Sequence, residues 1–259
     1  MKRSSTELKK FARATLKGKY GIFVGTYVIY LLISVCESYA TLQLQSIASK
    51  HIYLVIQFLL SSVLQLFFVG LAYQAMKACR GKQLKVSDLF YAFSHNPDRF
   101  IKVALLQVVV LFIPTLPLYF IPGSNLFAND SMVIIVFYLL FLVASILLII
   151  LNLALTLSYY LIIDCPEMTS GEAIRTSIRL MKGNKGRAFY ISLSFIGLIL
   201  LGICSFGIGL LWLAPYMNVT SAYFYFDVIG ALDPPAEKIA QETIAPIVEA
   251  PVIDTSKET

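Results

Sequence analysis

The chain has 259 residues, of which 58% are hydrophobic and 14% are charged, with a mean hydropathy of +0.77 and a formal net charge of +6. Ordinary soluble domains carry about 25% charged residues. Five long segments without Asp, Glu, Lys or Arg hold 141 of the residues, more than a soluble core uses. The composition therefore excludes a soluble enzyme, a nucleic-acid-binding domain, a disordered protein and a secreted disulfide scaffold.

The N-terminal segment, residues 1–19, is predicted to form a cytoplasmic amphipathic helix. Ser4 and Glu7 have the spacing of a capping box, in which each side chain binds the backbone N–H of the other residue. Apolar residues recur behind them at helical spacing, and a basic stripe occupies another face. The residues of that stripe are Lys9, Arg13 and Lys17.

Residues 20–230 are predicted to form a membrane domain with six transmembrane helices. A spanning helix needs about 20 mostly apolar residues, so four of the charge-free segments each supply one span. The fifth is too long for one span, and three glycines between residues 202 and 209 weaken it. The predicted spans are residues 20–39, 52–76, 101–121, 131–163, 188–201 and 210–229. The fourth exceeds what a bilayer requires and is expected to tilt, kink or project.

The basic residues predict the orientation of these spans. With six alternating spans, 20 of the 21 Lys and Arg residues fall on one side, and only Lys50 falls on the other. Cytoplasmic loops are enriched in Lys and Arg. Both termini are therefore predicted to be cytoplasmic, and the positive net charge reflects topology rather than nucleic-acid binding.

The N-terminal pattern returns late in the chain. Thr169 and Glu172 again have capping-box spacing, and in both segments a glycine follows 14 residues after the cap, at Gly18 and Gly183. The basic residues of this second segment are Arg175, Arg179 and Lys182.

A looser third copy lies in the middle loop. Val86, Phe90 and Phe93 have a similar apolar spacing there, without a capping box, and residues 96–100 take the place of residues 184–188. The fold class predicted is therefore all-α: a polytopic membrane protein of three parallel modules, each a cytoplasmic helix followed by a hairpin of two spans.

The basic segments admit two interpretations. A short helix with a basic and an apolar face lies flat at the membrane interface, with its cations toward anionic lipid. The same pattern also suits a cytoplasmic cap that packs on the ends of the spans. Under the first interpretation, the residues predicted to contact lipid headgroups are Lys9, Arg13, Lys17, Arg175, Arg179 and Lys182.

These segments resemble a known family. Residues 176–184 (TSIRLMKGN), 192–197 (SLSFIG), 207–216 (GIGLLWLAPY) and 12–21 are similar to an uncharacterised bacterial membrane-protein family, domain of unknown function 975. The resemblance covers roughly residues 5–230. It implies a six-span protein of the bacterial plasma membrane and assigns no catalytic residues.

Enzymatic motifs are missing from the sequence. It contains no phosphate-binding loop, dinucleotide fingerprint or nucleophile elbow, and its two histidines, His51 and His95, are predicted on opposite sides of the membrane. We therefore expect no enzymatic activity, no cofactor, no metal site and no catalytic residue.

Polar residues within spans are the better functional candidates, because hydrocarbon makes them costly. They form either a polar pathway through the bundle or hydrogen bonds that hold helices together, and the second interpretation is favoured. The candidates are Glu37, Gln65, Gln107 and Asn152. A Gly-x-x-x-Gly pair, Gly21 and Gly25, indicates a close helix approach in the first span.

The last segment, residues 231–259, is predicted to be a disordered cytoplasmic tail, because it is acidic and contains four prolines. Taken together, the sequence predicts a non-enzymatic plasma-membrane protein with a structural or interaction role in the cell envelope. The partners expected are membrane lipids and a second membrane protein or another copy of the chain. The alternative is a transporter or permease component for a small or amphipathic molecule.

Overall fold

The computed structural model describes residues 3–113 and 131–232, and every regular element in these two ranges is helical. A short 3-10 helix, Val86–Phe90, precedes α4. The α-helices are α1 (Ser5–Leu16), α2 (Tyr20–Ile47), α3 (Lys50–Cys79), α4 (Tyr91–Ser94), α5 (Pro97–Phe112), α6 (Ser131–Leu155), α7 (Ser158–Asp164), α8 (Ser170–Met181), α9 (Lys185–Leu193), α10 (Ile196–Cys204) and α11 (Leu210–Val228). The end of the predicted third span and nearly all of the predicted tail lie outside the described residues.

Four stretches of the described chain are helical, long and apolar enough to cross a membrane. They are Tyr20–Ile47, Lys50–Cys79, Ile135–Asp164 and Lys185–Cys204, which correspond to the first, second, fourth and fifth predicted spans. The third predicted span begins in α5. The sixth coincides with α11, which is less apolar because of its tyrosines and polar residues, and 11 of its 19 residues are buried.

The long apolar stretches are interrupted at defined points. Residues 156–157 separate α6 from α7, within the segment whose excess length predicts a kink. Residues 194–195 separate α9 from α10. The glycine-rich break is confirmed, since residues 205–209 separate α10 from α11.

The two capping-box segments have the same local structure. The Ser4 hydroxyl accepts a hydrogen bond from the Glu7 backbone N–H, and the Glu7 carboxylate accepts one from the Ser4 N–H, at 3.3 and 2.8 Å. Thr169 and Glu172 form the same pair of bonds, at 3.3 and 2.9 Å. The hydrogen bond from the backbone N–H of the capping residue, and secondly the one from its hydroxyl, hold the pKa of Glu7 and of Glu172 below the usual value of a carboxyl.

The match extends through the turn that follows each of these helices. Gly18 and Gly183 end them in the left-handed region, with φ of +80° and +82°, which only glycine adopts without strain. The buried residues also match in position: Leu8, Ala12 and Leu16 on α1, and Ala173, Ser177 and Met181 on α8.

The middle copy is different. The 3-10 helix and the four-residue α4 stand where α1 and α8 have twelve residues. Val86, Phe90 and Phe93, the predicted apolar face, are exposed, while Leu89 and Ala92 are buried. The helix that follows nevertheless begins at the predicted place, since Asn96 and Asn184 are the N-caps of α5 and α9.

Two helices form the centre of the bundle, α3 and α11, which pack against each other. The short segments lie together at one end, called the basic end below, and each packs on a long helix. Helix α1 contacts α11, the 3-10 helix and α4 contact α3, and α8 contacts α6 and α7. Unlike the central helices, most of the stretch Ile135–Asp164 lies at the outside of the bundle, since none of its 18 most apolar consecutive residues is buried.

Candidate functional site

The basic residues of α1 contact the protein itself. Lys9 donates a hydrogen bond of 3.1 Å to the Ser194 carbonyl, at the break between α9 and α10, and its ammonium lies 4.1 Å from the centre of the Phe195 ring. Arg13 donates to the Tyr216 hydroxyl at 2.9 Å. Burial lowers the pKa of the Lys9 ammonium, and the nearby Arg13 charge acts in the same direction.

The other predicted lipid-contacting residues lie on the surface. Lys17 is exposed at the end of α1, and Arg175, Arg179 and Lys182 are exposed on α8. Arg179 donates to the Thr176 hydroxyl at 3.3 Å, within its own helix. Lys9 and the exposed Arg13 therefore bind atoms of distant helices, whereas the other four cations are exposed and the one bond described for them, that of Arg179, stays within its own helix.

Three ion pairs at the basic end were not predicted from the sequence. They connect α3 to the 3-10 helix, α3 to the end of α7, and α9 to α11. The pairs are Lys77 with Asp88, Arg80 with Asp164, and Arg187 with Asp227. One of these pairs could have been predicted from the sequence, because Asp164 directly follows a long charge-free segment. An acid at the end of a span is stabilised by a nearby cation.

A cavity of about 410 Å³ lies inside the bundle, between α2, α3, α5, α6, α7 and α11. Small-molecule sites in proteins typically have about 300–1,000 Å³. Much of its wall is apolar, with Phe68, Ala72 and Met217 among its residues. The polar side chains that line it are Tyr27, Gln65, Gln107, Asn152, Thr156, Tyr159, Tyr160, Asn218 and Ser221.

Two hydrogen-bonded groups organise the polar wall of the cavity. The Gln65 amide donates to the Gln107 side-chain carbonyl at 2.8 Å, and the Gln107 amide donates to the Leu155 carbonyl at 3.2 Å, next to the break after α6. The Asn218 amide donates to the Tyr27 hydroxyl at 2.9 Å. These bonds connect α3 to α5 and α6, and α2 to α11.

Three of the four predicted intramembrane residues thus line one cavity, and Glu37 does not. Gln65 and Gln107 bond to each other, which also fits the interpretation that they hold helices together. Asn152 faces the same space. Glu37 is half-buried on α2 and does not line this cavity.

The sequence did not single out two tyrosines of this wall, because tyrosine commonly lies at membrane interfaces. The Tyr159 hydroxyl is buried and makes no hydrogen bond of acceptable geometry within residues 3–113 and 131–232. Tyr27 is buried and both accepts a bond from Asn218 and donates one to the Ala214 carbonyl at 3.2 Å.

The chemistry of the cavity is that of uncharged hydrogen-bonding groups. Among the described residues, no carboxylate, amine, guanidinium or imidazole lines it. In the same part of the chain, no three His, Cys, Asp or Glu side chains are grouped as a metal ion requires. The described wall can bind by hydrogen bonds and apolar contact.

Comparison with known proteins assigns the family. A family model described as "Protein of unknown function (DUF975)" matches residues 1–231, which confirms the resemblance seen in the sequence. Neither the curated proteins nor the solved structures gave a match. With nearly nine-tenths of its length inside that family model, the chain belongs to the DUF975 family.

Proposed function

We propose that the chain is a six-span protein of the bacterial plasma membrane with both termini in the cytoplasm. The four long apolar helices support this, because a membrane is the environment that accommodates their exposed surface. Helices α5 and α11 supply the other two spans. The distribution of 20 of the 21 cations supports a cytoplasmic location for the basic end.

The packing of the short segments supports the three-module plan. Each segment packs on the second span of the module before it: the 3-10 helix and α4 on α3, and α8 on α6 and α7. Helix α1, in the first module, packs on α11, the second span of the last. The order of these contacts is cyclic, which is the order expected if the three modules close into a ring.

The function that we infer is non-enzymatic: the protein binds membrane lipid and also a partner of the cell envelope. The partner contacts the protein either directly or through the bound lipid. One observation carries this, the position of the exposed α8 cations beside an exposed apolar helix. Ser177 of α8 donates a 2.7 Å hydrogen bond to the Ala154 carbonyl of α6, which holds α8 beside that helix, while Arg175 and Arg179 are exposed on another face of α8. Cations at a headgroup level beside apolar surface suit an anionic lipid.

The test is retention of anionic lipid by the purified protein, measured by native mass spectrometry in mild detergent with added phosphatidylglycerol. Replacing Arg175, Arg179 and Lys182 with Gln is expected to lower retention at least about tenfold, because each cation near an anionic surface contributes about 1 kcal/mol. Replacing three other exposed lysines, Lys82, Lys85 and Lys102, removes the same charge elsewhere.

The matched triple variant separates a site on α8 from general attraction. We expect it to retain phosphatidylglycerol within about twofold of the unmodified chain, since surface charges beyond a Debye length of about 10 Å are screened. Equal loss in both triple variants would contradict a lipid site on α8.

A second candidate function is transport of a small or amphipathic molecule, and the cavity favours it. Gln65, Gln107 and Asn152 face one space inside the bundle, which a carrier or permease component requires. If this function holds, liposomes that contain the protein take up an uncharged solute, and Gln107→Leu lowers the initial rate at least about fivefold. A panel of uncharged solutes that all leak at the protein-free rate would reject it.

A further inference from the structure

We propose that the cavity is a binding site for the polar end of an uncharged, single-chain lipid that enters from the bilayer. The ligand class is an amphiphile whose head carries hydroxyl or ester groups, such as a monoacylglycerol. This inference rests on the proposed membrane location and goes beyond the lipid contacts of α8, because it concerns a different place and a different lipid chemistry.

The first argument is the set of unused polar groups in the wall. The Tyr159 hydroxyl is buried near the Gln65 side chain, yet it makes no hydrogen bond of good geometry among the described residues. The half-buried Asn152 side chain faces the same cavity. Such groups are costly in hydrocarbon unless a ligand or water satisfies them. Together they offer a hydroxyl, an amide donor and an amide acceptor to one ligand head.

The second argument is depth. Counted at 1.5 Å per residue from the nearest charged residue of the same helix, Gln107, Asn218 and Gln65 lie about 8, 14 and 18 Å away. A hydrocarbon core about 30 Å thick places these side chains well inside it. A charged headgroup would lose its hydration there without a counter-charge, since no ionised side chain of the described chain lines the cavity. The head that fits is therefore neutral.

The third argument is access. Phe68, in the middle of α3, lines the cavity and is 39% exposed, so the wall opens beside it on the lipid-facing side of the bundle. About 410 Å³ suits the head and first part of one chain, while the rest of the chain stays in the bilayer. A lateral opening at this depth selects molecules that are already dissolved in the membrane.

The experiment uses the full chain in mild detergent, titrated with monoolein, and counts bound copies by native mass spectrometry. Tyr159→Phe is expected to weaken monoolein binding about fivefold, which is one hydrogen bond to an uncharged group. Asn152→Leu keeps the side-chain size and is expected to weaken it by a similar factor. Gln45→Leu, on an exposed face of α2, is the matched control and leaves binding unchanged.

Thermal unfolding of the same variants separates binding from structure. Without ligand, Tyr159→Phe is expected to unfold at the same temperature as the unmodified chain or higher, because the hydroxyl that it removes is unsatisfied. Monoolein then raises the midpoint less in this variant than in the unmodified chain. A purely structural role for Tyr159 predicts equal monoolein affinity in both.

Equal monoolein binding by the unmodified chain, Tyr159→Phe and Asn152→Leu overturns the proposal, and so does the absence of bound monoolein. Phosphatidylglycerol retention, read in the same spectra, reports on the α8 cations instead. If both triple variants retain equal phosphatidylglycerol while Tyr159→Phe and Asn152→Leu still weaken monoolein binding, the proposed function of α8 is rejected and the cavity site is supported.

Discussion

Asp227→Asn is expected to lower the free energy of unfolding by about 3 kcal/mol, because it leaves a partly buried arginine without its counter-charge. The Asp227 side chain is only 2% exposed, and that of Arg187 is 25% exposed. Breaking a buried pair by removing one partner typically costs about 3–5 kcal/mol, and the partial exposure of Arg187 places this case at the lower limit.

Asp227 also connects the two ends of the described chain. Its carboxylate accepts a second hydrogen bond, of 3.1 Å, from the backbone N–H of Arg3. Arg187 in turn donates to the Arg3 carbonyl at 2.7 Å. One carboxylate and one guanidinium therefore fix the segment before α1 against α9 and α11.

The measurement is chemical or thermal unfolding in detergent, with a double-mutant cycle on Asp227→Asn and Arg187→Gln. A coupling energy of about 1–3 kcal/mol is expected for side chains in direct contact. Glu167→Gln removes an exposed carboxylate that has no partner among the described residues, so it should change stability by no more than about 0.5 kcal/mol. If Asp227→Asn is as harmless as Glu167→Gln, the pair does not stabilise the contact of the N-terminal segment with α9 and α11.

The features that the sequence predicts correctly are those set by local chemistry. The capping boxes depend on residues three apart, and both form as expected. The break at residues 205–209 follows from glycines that weaken a helix at that point. Neither depends on what the rest of the chain does, so a single sequence is enough to locate them.

The direction of α1's basic stripe, by contrast, depends on tertiary packing. Lys9 and Arg13 have the spacing of a lipid-facing stripe, yet their contacts are to Ser194 and Tyr216, about 200 residues further along. Only the position of α1 across α9 and α11 brings these groups together. On α8 the same stripe stays exposed, so equal patterns have unequal surroundings.

The convergence of polar residues on one cavity could be predicted only in part. The cost of a polar group in hydrocarbon is a property of its residue type, and it singles out Gln65, Gln107 and Asn152, which line one cavity. It says nothing about which helices are neighbours, and for that reason it also selects Glu37, which lies elsewhere. Tyr159 escapes the criterion because its polar part is a single hydroxyl on a large apolar ring.

Close helix approach is the feature that the sequence places wrongly. A Cβ atom added at Gly21 or Gly25, the predicted packing pair, would meet nothing within 4 Å. The close approach occurs instead at Gly70, which no spacing pattern marks. There an added Cβ would lie 2.0 Å from the Leu89 carbonyl oxygen and 2.4 Å from its carbon.

Gly70→Ala is accordingly expected to destabilise the protein by about 3 kcal/mol, at the upper end of the usual cost of overpacking. The clash is with backbone, so no side-chain rotation relieves it, and the 3-10 helix must move away from α3. That movement would also strain the 2.7 Å ion pair of Lys77 with Asp88 and the 3.3 Å hydrogen bond from the Gln74 amide to the Lys85 carbonyl.

Gly25→Ala, also in a long apolar helix, is expected to have the opposite effect on stability. Its added methyl group meets open space, and alanine is about 0.5–1 kcal/mol better than glycine in a helix interior, so stability should rise. The midpoint of thermal unfolding in detergent is compared for both variants and the unmodified chain. A Gly70→Ala midpoint equal to that of the unmodified chain would mean that α3 and the 3-10 helix do not touch. A fall for Gly25→Ala would instead restore the predicted pair as a helix contact, because only a close neighbour makes a methyl group unfavourable there.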